Sequence, residues 1–157
     1  MSHQSEIAIG CDHGGFLLKE KIVKYLKGQD KRVEDFGTFS EESMDYPDVA
    51  YKVAAAVSQG RATKGILICK TGIGNSIVAN KLKNVRAALC HNLKSARLSR
   101  QRNDANILVM GALFVNEATA KKMISAWLNT EFEGGRHLRR IKKIGKIERI
   151  EKLCAQC

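Results

Sequence analysis

The sequence predicts an α/β protein in three layers, a doubly wound sheet of parallel strands covered by helices on both faces. Short apolar runs, many of them β-branched, alternate with longer stretches whose apolar residues recur at helical spacing. This alternation is typical of βα units, whose parallel strands are buried on both faces. At 157 residues, without internal repeats or a proline-rich linker, the chain has the size of one domain spanning residues 1–157.

The first half of the chain is predicted to contain two βα units. In order, they comprise a strand over 6–11, a turn over 12–15, a helix over 16–27, a strand over 31–36, a loop over 37–45 and a helix over 46–57. Pro47 suits the first turn of the second helix. The buried side of the first helix is expected to carry Leu17, Leu18, Ile22, Tyr25 and Leu26.

The second half continues the alternation with three more strands, which brings the predicted total to five. Its elements are a strand over 66–69, a turn over 70–75, a helix from Ser76, a strand over 85–90, a helix over 93–102, a strand over 106–110, a helix over 117–128 and a basic helix over 136–153. In the last helix, isoleucines recur every third residue from Ile141 to Ile150. This apolar stripe is expected to pack on the body of the protein or on another subunit.

The net charge of +11 is large for a chain of this size and is unevenly distributed. Residues 136–157 contain eight Lys or Arg against two Glu. A small phosphorylated substrate, or a solvated helix face, accounts for this segment as well as a polynucleotide would. Because no nucleic-acid motif or row of exposed aromatics accompanies it, we expect no nucleic-acid partner.

The amino-terminal residues and the longest apolar runs predict no targeting segment and no membrane span. Residues 1–6 are polar, and no apolar run approaches the length that spans a bilayer. We therefore expect a cytoplasmic protein without a membrane partner. Three of the five cysteines, Cys11, Cys69 and Cys90, end apolar runs, which suits reduced, buried thiols. The terminal pair Cys154 and Cys157 is interpreted as incidental, with a metal or redox site as the alternative.

Several chemically active side chains fall at the predicted ends of strands. Asp12 and His13 follow the first strand, Cys69 and Thr71 end the third, and His91 follows the fourth. In doubly wound sheets, ligands bind at the carboxyl ends of the strands near a topological switch point. The glycines after Cys69 favour a turn that cradles an anion. Taken singly, the alternatives are a buried cysteine before an ordinary turn, a capping aspartate and a surface histidine.

At this point the sequence resembles the type B ribose-5-phosphate isomerases and the related galactose-6-phosphate isomerases. The resemblance runs through short motifs in the same order along nearly the whole chain: residues 9–15, 35–38, 45–47, 65–74, 79–81, 99–100 with 103–106, and 133–137. It implies a Rossmann-like fold without a dinucleotide, a homodimer or homotetramer with active sites shared between subunits, and a C-terminal helix that packs on a partner. The implied activity is aldose–ketose isomerisation of a sugar phosphate without metal or cofactor.

The resemblance also implies roles for individual residues. Cys69 matches the general base, Thr71 a proton relay or a hydrogen bond to that base, and the backbone N–H groups between Lys70 and Gly74 an anion hole. Contact with substrate is expected from Lys70, Gly72, Ile73, Gly74 and Asn75. Asp12, Tyr46 and Asn103 match contacts to sugar hydroxyls. His13, Arg136 and Arg140 match the phosphate site; the two arginines are four residues apart and so share a helix face.

Three residues depart from the family pattern. Arg102 stands where the family usually has a histidine that helps open the furanose ring, Leu113 where it has a phosphate-binding arginine, and Lys70 where it has glycine. One hypothesis is that Arg102 and Lys70 hold substrate while His91 assists ring opening. The alternatives are a hexose 6-phosphate substrate, such as allose or galactose 6-phosphate, and sugar-phosphate binding without catalysis.

Overall fold

The computed structural model describes residues 5–154 and confirms an α/β fold with a five-stranded, all-parallel sheet. The strands are β1 (Ser5–Cys11), β2 (Val33–Asp35), β3 (Ala62–Cys69), β4 (Ala87–Leu89) and β5 (Ile107–Gly111). The helices are α1 (Phe16–Lys27), α2 (Tyr46–Ser58), α3 (Ile73–Ala79), α4 (Leu93–Asn103), α5 (Glu117–Leu128) and α6 (Gly135–Cys154). A single 3-10 turn, His13–Gly15, precedes α1.

The strands lie in the order β2-β1-β3-β5-β4, so the chain leaves β1 in one direction for β2 and then crosses to the other side for β3. This reversal places a topological switch point between the carboxyl ends of β1 and β3, where the sheet pairs Cys11 with Ile68. On the far side of β3, Cys69 pairs with Gly111 at the end of β5. The predicted site residues at strand ends therefore share one edge of the sheet.

Alternate residues of each central strand enter different cores, which confirms the three-layer arrangement. Ile66 and Ile68 of β3 face one core with Trp127 of α5, while Leu67 faces the opposite core with Val53 of α2. All five side chains are 0% exposed. Because side chains alternate with a period of two along a strand, both faces of the sheet are covered.

Three predicted features are wrong in detail. Leu17 is 60% exposed, and Lys19 lies inside with Ile22 and Leu26, because α1 is rotated so that these three residues face the core. β3 begins four residues before the predicted start, since Ala62 pairs with β1. α3 begins at Ile73, three residues before the predicted Ser76.

Among residues 5–154, no helix is both long and apolar enough to cross a bilayer. Cys11, Cys69 and Cys90 are buried free thiols, as predicted. Cys157 lies outside the described residues, as do residues 1–4, so the interpretations of the terminal cysteine pair and of the amino terminus stay predictions. Ile144, Ile147 and Ile150 of α6 are 47–59% exposed, and their packing on a partner also stays a prediction.

Cys11 is expected to make the fold less stable as the pH rises above 9. Burial raises the pKa of its thiol from 9.0 to about 12. Between these two values the unfolded chain ionises first, so the free energy of unfolding falls as pH rises, by roughly 1 kcal/mol per pH unit. We expect Cys11→Val, which has no proton to lose, to lose about 1 kcal/mol less than wild type between pH 8 and pH 10 in urea unfolding.

The exposed Cys154 provides the matched control. Cys154→Val should follow the wild-type dependence on pH. An equal loss of stability in Cys11→Val and wild type would contradict the assignment to Cys11.

Candidate functional site

Cys69, the last residue of β3, is 4% exposed and is held by the turn that follows it. The backbone N–H of Gly72 donates to its Sγ at 2.9 Å. Gly72 has the left-handed φ of +84°, and a Cβ at this position would overlap Leu89. Only glycine satisfies both conditions without strain. The turn therefore brings a backbone donor onto the sulfur immediately after the strand ends.

The three buried cysteines differ in what surrounds their sulfurs. Burial raises the pKa of both Cys11 and Cys90, which favours neutral thiols. The Sγ of Cys11 donates to the carbonyl of Thr38 at 3.8 Å, whereas the Sγ of Cys69 accepts a backbone N–H. Cys69 therefore differs from Cys11 in that its sulfur accepts a backbone hydrogen bond and Cys11 donates one.

The first turn of α3 lies beside Tyr46, which begins α2. Gly74 approaches the Tyr46 ring so closely that a Cβ on Gly74 would overlap it. The Thr71 Oγ1 accepts the N–H of Ile73 at 3.3 Å, and the Ile73 side chain is 54% exposed. Tyr46 and Gly74 are therefore in contact, and residues 71–73 belong to the same turn.

Asn75 is 1% exposed, and neither its side-chain oxygen nor its nitrogen has a hydrogen-bond partner among residues 5–154. A buried amide left without a partner costs on the order of 1–3 kcal/mol. Because the Asn75 side chain lies below the surface, the structure does not present it for the predicted contact with substrate.

Asp12 and His13 lie at the end of β1, next to β3. The N–H of Asp12 donates to the carbonyl of Ile68 at 3.2 Å, and its Oδ1 accepts the N–H of Gly15 at 2.9 Å. Asp12 is thus a capping residue, 7% exposed, at the predicted site. The Nδ1 of His13 accepts the N–H of Met44 at 3.3 Å. In neutral imidazole this bond leaves the proton on Nε2, which becomes a donor.

Lys70 and Leu113, which both depart from the family pattern, are neighbours. The N–H of Leu113 donates to the carbonyl of Lys70 at 3.0 Å, and both side chains are exposed. Lys70 also borders Gly14, where a Cβ would lie 3.0 Å from that of Lys70. A cation thus stands between the end of β1 and the segment after β5.

His91 lies at the same edge of the sheet but farther from Cys69. It follows β4, two strands from β3, which corresponds to about 10 Å at the usual strand spacing. The side chain is exposed and contacts the ring of Phe114 edge-on, with centroids 5.1 Å apart. The predicted site residues at this edge are named the carboxyl-edge cluster: Asp12, His13, Tyr46, residues 69–75 and His91.

Arg102 and Asn103 lie at the opposite edge of the sheet. They end α4, just before β5 begins, and both are exposed. The neighbouring Asp104 fixes this helix end, since its Oδ1 accepts from Arg100 at 2.7 Å and its Oδ2 from Arg86 at 3.1 Å. Five residues of β5 separate this end from the edge that carries Cys69, a rise of about 13 Å.

Arg136 and Arg140 belong to the same opposite edge. The N–H of Glu133, just before α6, donates to the carbonyl of Gln101 near the end of α4 at 3.0 Å. Farther along α6, Glu148 accepts the N–H of Asn84, ahead of β4. Arg102, Asn103, Arg136 and Arg140 are named the amino-edge cluster. One chain therefore brings the predicted residues together in two clusters and does not join them.

The sequence analysis did not identify the buried contact between Lys19 and Asp35. The Nζ of Lys19 is buried and donates to Asp35 Oδ2 at 2.7 Å, beneath the loop that leads to Tyr46. The spacing of Lys19 from Ile22 and Leu26, three and seven residues, places all three on one face of the helix and could have indicated that Lys19 is buried. Charged residues are usually exposed, however, so helical periodicity alone does not predict a buried lysine.

Comparisons with known proteins give matches over nearly the whole chain. The family model Ribose/Galactose Isomerase matches residues 7–144. The chain is 49% identical to Ribose-5-phosphate isomerase B of Escherichia coli (strain K12), over 91% of this chain and 96% of the relative. It is 44% identical to D-erythrulose-4-phosphate isomerase of Pectobacterium atrosepticum, over 93% and 97%.

Solved structures give the same result. The Ribose-5-Phosphate Isomerase B of Clostridium thermocellum superposes with a TM-score of 0.92 at 50% identity, covering 93% of this chain and 99% of the other. The Ribose-5-phosphate Isomerase B of Mycoplasma genitalium with bound ribulose-5-phosphate superposes with a TM-score of 0.88 at 41% identity, covering 92% and 96%.

The turn after Cys69 is expected to be intolerant of any side chain at Gly72. Gly72→Ala combines a strained φ with an overlap against Leu89. We expect a loss of roughly 2–4 kcal/mol in the free energy of unfolding, measured by urea titration. Gly60→Ala is the matched control, since Gly60 has a φ of +72° with no atom within 4 Å of an added Cβ. Equal losses in the two variants would show that the overlap contributes nothing.

Proposed function

Because the chain belongs to the ribose/galactose isomerase family, we propose that it interconverts ribose 5-phosphate and ribulose 5-phosphate through an enediolate, with Cys69 as the general base. The resemblance identified from the motifs is thereby confirmed at the level of the family. The observation that carries the proposal is the buried Cys69 sulfur at the switch-point edge, with the Gly72 N–H donating to it at 2.9 Å.

The reaction moves a proton from C2 to C1 of the open-chain sugar. One base on the correct face suffices, since it removes the proton from one carbon and returns it to the other. Cys69 removes the C2 proton as the thiolate and thereby becomes the thiol; as that thiol it returns the proton to C1, which regenerates the thiolate. The Gly72 N–H stabilises the negative charge on the thiolate sulfur. Because this N–H is already in place, it does not have to move when the sulfur gains or loses its proton.

The enediolate that forms between the two proton transfers needs hydrogen-bond donors at its oxygens. Of the predicted anion hole, the N–H of Gly72 is directed at Cys69 and that of Ile73 at Thr71. The N–H of Gly74, in the first turn of α3, is assigned to the enediolate. The Thr71 hydroxyl relays the proton between the two oxygens.

The remaining carboxyl-edge residues bind the rest of the substrate. Asp12 and Tyr46 contact sugar hydroxyls, and the Nε2–H of His13 donates to the phosphate. Lys70 contributes a cation from the exposed side. His91, exposed at the same edge, assists ring opening.

The amino-edge cluster requires a second copy of the chain. Arg136 and Arg140 grip the phosphate, and Arg102 and Asn103 contact the sugar, from the partner subunit. The supporting observation is the length of β5, about 13 Å, between these residues and Cys69 within one chain. A homodimer in which each active site combines the two clusters is therefore the minimal active unit, and a tetramer pairs two such dimers.

Two observations bear on which sugar phosphate the protein uses. A relative 44% identical is a D-erythrulose-4-phosphate isomerase. In this chain, Lys70 and Leu113 stand side by side at the substrate edge, where the family usually has glycine and arginine. Hexose 6-phosphates, such as allose or galactose 6-phosphate, are accordingly the second candidate. Binding without catalysis is the third.

The decisive experiment is an isomerase assay on ribose 5-phosphate, allose 6-phosphate, galactose 6-phosphate and erythrulose 4-phosphate. We expect Cys69→Ala to lower kcat by at least about a hundredfold, with KM changed little, because the base acts in the transition state and not in substrate binding. Cys90→Ala, which also removes a buried thiol, should retain wild-type turnover.

Two outcomes would contradict the proposal at different levels. A wild-type protein without activity on any of the four sugars would exclude the isomerase function. Wild-type turnover in Cys69→Ala would leave the enzyme but remove its assigned base.

The shared site predicts complementation between two inactive variants. Cys69→Ala lacks one half of every site, and Arg136→Ala with Arg140→Ala lacks the other. In a dimer containing one chain of each kind, one of the two sites is intact. After random subunit exchange we expect about a quarter of wild-type activity from the mixture. If each chain held a complete site of its own, mixing would restore nothing.

A further inference from the structure

The ammonium group of Lys19 lies in the interior, beneath the loop between β2 and α2. Its side chain is 0% exposed, and its Nζ contacts Asp35 at 2.7 Å and Glu20 at 2.9 Å. The ring of Phe39 covers it at 4.6 Å. Burial alone would lower the pKa of Lys19, but the hydrogen bonds to Asp35 and Glu20 outweigh it and raise the pKa. The lysine is therefore a buried cation.

The two carboxylate oxygens of Asp35 point to different partners. Oδ2 accepts from Lys19, and Oδ1 accepts the N–H of Gly37 at 2.9 Å. The following residues continue along the end of β1: the N–H of Cys11 donates to the carbonyl of Gly37, and that of Thr38 to the carbonyl of Cys11 at 2.8 Å. Asp35 thus ties the start of the loop to the residue just before Asp12.

The far end of the same loop contacts the candidate site. Met44 donates its N–H to the Nδ1 of His13 at 3.3 Å. Two residues later, Tyr46 begins α2 and lies against Gly74. Residues 37–45 therefore connect the buried ion pair to two residues of the carboxyl-edge cluster.

We propose that Lys19 and Asp35 are positioning residues of the sugar-phosphate site: their buried ion pair fixes residues 37–45 and, through them, the orientation of His13 and Tyr46. The proposal rests on the proposed function. Neither residue touches the substrate. A buried ion pair adds little net stability over apolar residues of similar volume. The contribution of this pair is instead to fix the orientation of the loop, because Asp35 must face both Lys19 and Gly37.

The test removes both charges together, in Lys19→Met with Asp35→Leu, so that no unpaired charge remains inside. We expect the variant to stay folded, with KM for the sugar phosphate raised at least about tenfold and kcat changed much less, since ground-state contacts are lost while Cys69 is untouched. Lys19→Arg alone keeps the charge and should raise KM less than the double variant does. The surface pair Lys121 and Glu117, whose side chains are 35% and 38% exposed, is replaced by Met and Leu as the matched control and should leave KM unchanged.

A second measurement does not depend on activity. In wild type, the side-chain 15N shifts of His13 should report a proton on Nε2 and a free Nδ1. In the double variant, the Met44 bond loosens and the two tautomers mix. If wild type turns over no sugar phosphate, the proposed function fails, and this spectrum alone decides whether the ion pair positions His13.

Phe39→Ala keeps the test decisive should the double variant not fold. Phe39 is 69% exposed, so its ring can be removed without opening the core, and its loss uncovers the same ammonium group. We expect a change in KM in the same direction, about threefold. A wild-type KM together with a wild-type His13 spectrum, in whichever of these variants folds, would overturn the proposal.

Discussion

The common direction of the five strands is the constraint on which the rest of the molecule depends. Parallel strands bring all their carboxyl ends to one edge, so Asp12, Cys69 and Gly111 come together from distant parts of the sequence. The same rule sends each helix back to the opposite edge before the next strand begins. The end of α4, with Arg102 and Asn103, must therefore lie a strand's length from Cys69, and both clusters follow from one topology.

The sheet and the location of Cys69 could be predicted because each rests on local pattern: apolar runs, glycine-containing turns and helical spacing. The bounds of α1 and α5 are confirmed residue for residue. The inward side of α1 could not be predicted, because Lys19 is buried by a carboxylate 16 positions later in the chain. No periodicity contains that partner, so the helical pattern places Leu17 in the core and does not identify Lys19 as buried.

The turn after Cys69 shows a second limit. Its two glycines favour a loop, so the helix was predicted from Ser76, yet the left-handed Gly72 turns the chain directly into α3 at Ile73. Gly74 lies inside the helix for a different reason, namely the ring of Tyr46 against it. Once the helix starts earlier, Asn75 faces inward and is buried. The local pattern located the turn after Cys69, but the residue at which α3 begins depends on contacts with α2 and β4.

In the proposed homodimer, charge is the reason for combining the two separated clusters in one site. The carboxyl-edge cluster holds one acid, Asp12, and one cation, Lys70, so its formal charges cancel while Cys69 is a thiol, and it is negative once Cys69 is the proposed thiolate. The amino-edge cluster holds three arginines, Arg102, Arg136 and Arg140, and no acid. A sugar phosphate carries about two negative charges at neutral pH, which the first cluster alone does not balance. Under the proposal, the arginines of a second copy supply that balance, because those of the same chain lie a strand's length from its own Cys69.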